Sequence, residues 1–123
     1  MWLRWLVAGL VAANAVWMAY DGGRALLKGD YTTPSAGPHA GQLGPWAGLL
    51  RAVGFDPRAT PVKVAFVVYG LAALVGAGAL LVGAAWAPRA LLVLAALGLW
   101  YVPGGTLLNL VAIVLLLLPA FPR

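Results

Sequence analysis

The 25 residues from Val62 to Trp86 carry a single charged side chain, Lys63. At about 1.5 Å per residue, a helix of this length slightly exceeds a hydrocarbon core of roughly 30 Å, so it is expected to cross a bilayer with some tilt or protrusion. Thr60 as N-cap and Pro61 in the first turn give it a sharp start. The rest of the chain argues against a water-soluble alternative. Of its 123 residues 63% are hydrophobic and 9% charged, against about 25% charged in an ordinary soluble domain. Eight basic and three acidic side chains are too few to cover so small a globule. Disorder is excluded by the same balance, because unfolded chains are poor in apolar residues. The expected class is an all-α integral membrane protein with a single membrane domain over residues 1–123.

A first span is expected from Trp2 to Tyr20, apolar apart from Arg4 and Asn14. Arg4, the apolar run and the triplet Ala13, Asn14, Ala15 imitate a cleavable leader; a retained signal anchor or first span is the reading adopted. Residues 21–60 hold all three acids (Asp21, Asp30, Asp56) and the one histidine, His39, and are dense in proline and glycine. They form an extramembrane loop, with Asp21 ending the first span. Within the loop Pro45 suits a first helical position and Gly54 a C-terminal stop, while Trp46, Leu49, Leu50 and Val53 recur at helical spacing, which predicts a short helix between Gly44 and Gly54. Two placements fit it. It lies along the membrane surface with Trp46 at headgroup level, as an interfacial helix of the first loop, or it packs on the ends of the spans.

After Pro88 and Arg89 an apolar run reaches Val102; Pro103, Gly104 and Gly105 follow, then a second apolar run from Thr106 to Pro119. These runs are either two short spans joined by a tight turn or one kinked helix. Three successive breakers, with Val102 pushed from helical angles by the proline after it, favour the turn. Aromatic placement agrees: Trp2, Trp5, Trp86 and Phe121 then share one side, and Trp17, Tyr20, Trp100 and Tyr101 the other. The predicted fold is a four-transmembrane-helix bundle with spans near 2–20, 62–86, 89–102 and 106–119, the last two forming a short C-terminal helical hairpin.

The side with both termini carries Arg4, Arg89 and Arg123 without an acid, and the loop side Arg24, Lys28, Arg51, Arg58 and Lys63. Counting bases alone places the loop in the cytoplasm, whereas Arg4 and the free amine draw the first span's start inward; cytoplasmic N- and C-termini are adopted. The net charge of +5 reads as anchoring on anionic lipid headgroups rather than nucleic-acid binding, since no basic stripe with interleaved aromatics lies in a soluble segment.

Two stripes of small residues share a spacing of four, three and four: Ala8, Ala12, Ala15, Ala19 in the first span, and Ala72, Gly76, Ala79, Gly83 in the second. Small residues let helix backbones approach closely in lipid, so the two spans are expected to pack through these stripes, or one of them on a partner chain. Asn14, Tyr69, Thr106 and Asn109 fall at one depth, about 10 Å or slightly less below the loop side. An unpartnered polar group in hydrocarbon is costly, so these side chains should turn inward. They serve as structural glue, or they line a small cavity with Met18, Trp100 and Tyr101 that holds a lipid, a quinone headgroup or another small ligand.

Catalysis finds little support. No ionisable residue falls at mid-bilayer, where proton and ion pathways carry theirs. Small multidrug transporters share this size and four spans but rely on a carboxylate in the first; the equivalent depth here holds Asn14, which cannot exchange a proton. The run Asp21, Gly22, Gly23, Arg24, Ala25 resembles the opening of the CDP-alcohol phosphotransferase motif but lacks its further aspartates. A lone histidine in a loop excludes haem ligation between spans, and the absence of cysteine excludes disulfides and thiolate metal sites. The spacing of Asp21, Asp30, Asp56 and His39 matches no metal or acid–base signature. No cofactor, metal or catalytic residue is therefore expected. A single isoleucine, Ile113, and more Arg than Lys point to a GC-rich, bacterial genome. The expected function is that of a non-catalytic accessory, assembly or stabilising subunit of a larger membrane complex. Its expected partners are the lipid bilayer and other membrane subunits or further copies of itself. The alternative is a small oligomeric channel or carrier using the polar cluster on the loop side.

Overall fold

Asp21 and the two glycines after it do not end the first helix. In the computed structural model, which describes residues 2–31, 43, 45–101 and 104–121, α1 runs for 27 residues, Trp2–Lys28. Asp21 is buried inside it, and Gly22 serves a seam between helices: a Cβ there would stand 2.6 Å from Phe66 Cβ and 2.9 Å from the Lys63 carbonyl. The missing side chain allows a neighbouring helix to approach, and that contact holds the backbone helical where glycine alone would weaken it. Among the described residues four further helices follow: α2 (Trp46–Ala52), α3 (Thr60–Leu81), α4 (Ala87–Leu97) and α5 (Gly104–Leu117). Among the described residues there is no strand.

The breaks have local causes. Thr60 is the first residue of α3 and Ala59, in extended conformation, its N-cap, with Pro61 in the first turn. The helix stops at Leu81, five residues short of the expected Trp86, because Gly83 takes a φ of +81° and the Ala84 amide donates to the Ala79 carbonyl at 3.0 Å. This six-to-one closure satisfies carbonyls that the helix end would leave open. Gly54 closes α2 in the same way, with φ +91° and the Phe55 amide donating to Leu50 at 2.8 Å.

Helix lengths bear directly on the number of crossings. Among the described residues only α1 and α3 are long and apolar enough to traverse a bilayer by themselves. With 11 and 14 residues, α4 and α5 reach about 16 and 21 Å, short of a core of roughly 30 Å. Four spans therefore do not follow from the helices alone.

α1 and α3 form the most extensive seam, and contacts of α3 with α4, α4 with α5 and α5 with α1 close a ring. Two buried clusters fill it. One joins Leu3, Val7 and Val11 of α1 to Leu80, Leu91, Leu116 and Phe121; the other joins Met18 and Ala25 to Tyr31, Trp46, Phe66 and Tyr101. The start of α1 thus sits with the end of α3, the start of α4 and the end of α5, which makes sequential bundle helices antiparallel. At the opposite end the Thr106 hydroxyl donates to the Leu99 carbonyl and its amide to Tyr101 at 3.1 Å, tying the start of α5 to the chain that leaves α4. Phe121, placed by sequence in an interfacial belt, is buried in the first cluster instead.

In the small-residue stripe on α1, Ala8 and Ala15 are buried and Ala12 and Ala19 half-buried, and Ala15 and Ala19 stand against Gly70 of α3. On α3 the stripe is displaced. Gly70, Ala73, Gly76 and Ala77, flanked by Phe66 and Leu80, are the buried positions; of the expected stripe Gly76 is thus buried and Ala79 half-buried, while Ala72 and Gly83 are exposed. A Cβ at Gly70 would lie 2.6 Å from the Ala15 carbonyl and 2.7 Å from Ala19 Cβ. Gly76 turns to α4, its absent Cβ replaced by Leu91 Cδ2 at 2.9 Å. The shift has a simple origin: Phe66 and Leu80 bring larger side chains into the same face, so the seam is set by volume along 66, 70, 73, 77 and 80 rather than by smallness alone.

Candidate functional site

The loop-side end of the bundle is closed by aromatic packing. Trp46 is 5% exposed, its ring centroid 4.8 Å from Phe66, 5.1 Å from Tyr31, 5.8 Å from Tyr101 and 6.1 Å from Trp100. Rings at these separations in tilted and edge-on orientation attract beyond their area burial. The interfacial placement of α2 with Trp46 among headgroups is thereby corrected: the indole turns inward and the short helix plugs the bundle end, because four aromatic neighbours offer more contact than a headgroup layer. Outside the plug, Trp17 Nε1 donates to the Tyr101 hydroxyl at 2.9 Å.

Polar bonds hold the loop in place around this cap. Arg24 Nη1 donates to the carbonyls of Asp30 at 2.8 Å and Tyr31 at 2.9 Å, and Lys63 Nζ to Gly29 at 3.0 Å. Arg58 grips Asp30 with two bonds, 3.0 and 3.2 Å, but both side chains are 40% exposed, so the pair is worth under about 1 kcal/mol. Desolvation opposes the Asp30 charge, yet the bonds from Arg58 and the Tyr31 amide outweigh it and hold the carboxyl below its ordinary 3.8. With the folded value depressed, this small contribution is complete above 3.8 and fades as pH falls through the folded value. Asp56 Oδ1 accepts from the Arg58 amide at 3.0 Å within its own turn. Of the four residues considered for acid–base or metal chemistry, Asp30 and Asp56 are thus engaged in the loop, Asp21 is buried in α1, and His39 lies outside the described residues. Among the described residues no group of three metal-ligating side chains gathers.

Beneath the cap a cleft of about 410 Å³ opens between α3 and α4. Met18 of α1, Leu50 of α2, Phe55, the α3 residues Pro61, Val62, Ala65, Phe66 and Tyr69, and then Leu97 and Trp100 line it. Its size is that of a small-molecule site. The walls are apolar except for the Tyr69 hydroxyl and the Trp100 indole nitrogen, and the hydroxyl already donates to the Leu94 carbonyl of α4.

Of the seven residues proposed for a polar cavity, Met18, Tyr69 and Trp100 line this cleft. Asn14, Tyr101, Thr106 and Asn109 are not among its lining residues. Asn14 is buried and donates to the Met18 sulfur at 3.6 Å; Tyr101 belongs to the aromatic cap and Thr106 to the start of α5. Asn109 is 2% exposed, and its Nδ2 has no hydrogen-bond partner among the described residues. It sits behind Gly98, where a Cβ would stand 2.4 Å from both Asn109 Nδ2 and the Tyr69 hydroxyl. Tyr69 and Asn109 come close together behind Gly98, but depth does not say which way a helix faces. The apolar wall from Leu50 to Ala65 was missed for that reason.

Comparison of the chain with protein-family models, curated proteins and solved structures gives no match.

Proposed function

We propose that this chain is a multi-pass protein of the cell membrane, a four-span bundle with both termini in the cytoplasm, and that it acts as a non-catalytic accessory or stabilising subunit of a larger membrane complex. The observation that carries the reading is the apolar exterior. Val64, Val68, Leu71 and Val75 of α3, Val93 and Leu97 of α4, and Leu107, Leu110, Val111 and Val114 of α5 all point outward. Monomeric soluble proteins rarely expose so continuous a surface.

Aromatic positions support the same reading. Trp2, Trp5 and Trp86 are exposed at one end and Trp17 and Tyr20 nearer the other; Trp2 and Tyr20 are separated along α1 by about 27 Å, close to the hydrocarbon thickness. The turns flanking α4 and α5, with local thinning of the bilayer, complete the two shorter crossings. Arg4, at the start of the first span, supports cytoplasmic termini against the larger count of bases on the loop side.

A partner is favoured over lipid alone by one face of α1. Gly9 and Ala13 are exposed, one turn apart between Trp5 and Trp17, and nothing lies within 4 Å of a Cβ at Gly9. Small residues at this spacing admit a second helix. Extraction in mild detergent should yield a complex with other chains on native gels, and Gly9→Leu should release this chain from it without lowering its own melting temperature. A symmetric oligomer of this chain alone would overturn the accessory reading. The channel or carrier reading draws its support from the unpartnered Asn109 amide; it requires flux into proteoliposomes that Asn109→Leu abolishes.

A further inference from the structure

We propose that the cleft between α3 and α4 holds an acyl chain of an anionic phospholipid from the loop-side leaflet, with Arg51 and Lys63 receiving its phosphate. The proposal rests on the membrane reading above and adds a specific lipid site to it.

The direction of the cleft is the first argument. Leu50, Phe55 and Pro61 stand at its mouth, level with α2, and Tyr69 lies eight residues further along α3, about 12 Å deeper by helical rise. A lipid tail descends along this axis, from headgroup level into hydrocarbon. Phe55, Ala65 and Leu97 are exposed, so the cleft opens on the outer surface of the bundle, where a lipid can enter sideways.

Charge at the loop-side end of the bundle selects the headgroup. Arg51 follows the lining residue Leu50, and Lys63 follows Val62. The nearby acids are already engaged: Asp30 binds Arg58, and Asp56 accepts from the Arg58 amide. Arg51 is exposed; Lys63 spends one of its donors on the Gly29 carbonyl and its charge also acts on Asp30, but among the described residues no carboxylate hydrogen-bonds to either. A guanidinium offers paired donors to a phosphate and an ammonium adds a point charge. A choline headgroup would bring a further cation to this mouth, so a net-negative lipid is the better fit.

The test uses the whole chain in phosphatidylcholine vesicles. A trace of phosphatidylglycerol with a photoreactive diazirine on one tail is the first probe, phosphatidylcholine with the same tail is the second, and adducts are mapped by mass spectrometry. The anionic probe should label residues 50–69 and 97–100 at least about fivefold more than the neutral one, and the preference should fall about fivefold for each of Arg51→Gln and Lys63→Gln. Ala65→Trp fills the cleft from an exposed wall; it should remove these adducts while those at Val75 and Val114 persist. Equal labelling by the two probes, or cleft adducts surviving Ala65→Trp, overturns the site and leaves the membrane reading standing. Absence of adducts at Val75 and Val114 overturns the membrane reading and the site with it.

Discussion

Gly70→Leu is expected to destabilise the bundle by at least about 3 kcal/mol, at or beyond the top of the range for overpacked cores. Two of the three atoms a Cβ would strike belong to the α1 backbone, the Ala15 carbonyl at 2.6 Å and the Ala19 amide at 2.8 Å. Backbone cannot rotate aside, so relief requires the most extensive seam in the fold to open. Gly98→Ala supplies the contrast. Its Cβ would come still closer, 2.4 Å, but to the Asn109 amide and the Tyr69 hydroxyl, both ends of side chains that can swing away. Its cost should be about 1 kcal/mol. Thermal melting of the two variants in mild detergent separates the cases: a large drop for Gly70→Leu and a small one for Gly98→Ala. Equal drops would mean that distance alone, and not the nature of the atom struck, sets the penalty.

Trp46→Ala carries the second large effect, and it should be local. Emptying a buried indole site costs about 3–5 kcal/mol, and here the loss falls on a segment outside the ring of α1, α3, α4 and α5. The plug should detach while the bundle persists. Arg51 and Arg58 lie within the released segment, so tryptic cleavage after them should accelerate by about two to three orders of magnitude, with the helical melting transition nearly unmoved. A melting temperature that falls in step with cleavage would make the plug part of the bundle's cooperative unit.

What the sequence disclosed and what it concealed divide along a physical line. Breakers act locally, so the loop helix between Pro45 and Gly54 and a break between the last two helices were legible from their residues, although α4 already ends at Leu97 rather than Val102, α5 starts at Gly104, and Val102 and Pro103 lie outside the described residues. Depth also reads directly from helical rise, which put Asn14, Tyr69, Thr106 and Asn109 at one expected level. Rotation of a helix about its axis is another matter. In α3 nearly every side chain is apolar, so no polar face marks the outside, and a run of Ala and Gly offers several stripes of equal appearance. The seam chose Gly70, Ala73 and Ala77 because Phe66 and Leu80 supplied volume at its ends. Asp21 misled for a related reason. Its charge and the following Gly22 and Gly23 look like a stop, but close contact with α3 converts Gly22 from a breaker into a packing site. The apolar cleft depends on all of these rotations together, and its walls come from α1, α2, α3, α4 and two connections.

The absence of cysteine from the chain makes single introduced cysteines unambiguous reporters of where each segment lies. Gly48, Ala85 and Ala120 are exposed on α2, on the turn between α3 and α4, and after α5; Val75 and Val114 are exposed in the middle of helices. In intact cells treated with a membrane-impermeant maleimide, four crossings with cytoplasmic termini predict that Gly48→Cys reacts, that Ala85→Cys and Ala120→Cys react only after the membrane is opened, and that Val75→Cys and Val114→Cys stay protected throughout. Reaction of Val75→Cys and Val114→Cys with the reagent, or of Ala85→Cys and Ala120→Cys from opposite sides, would contradict a four-span bundle.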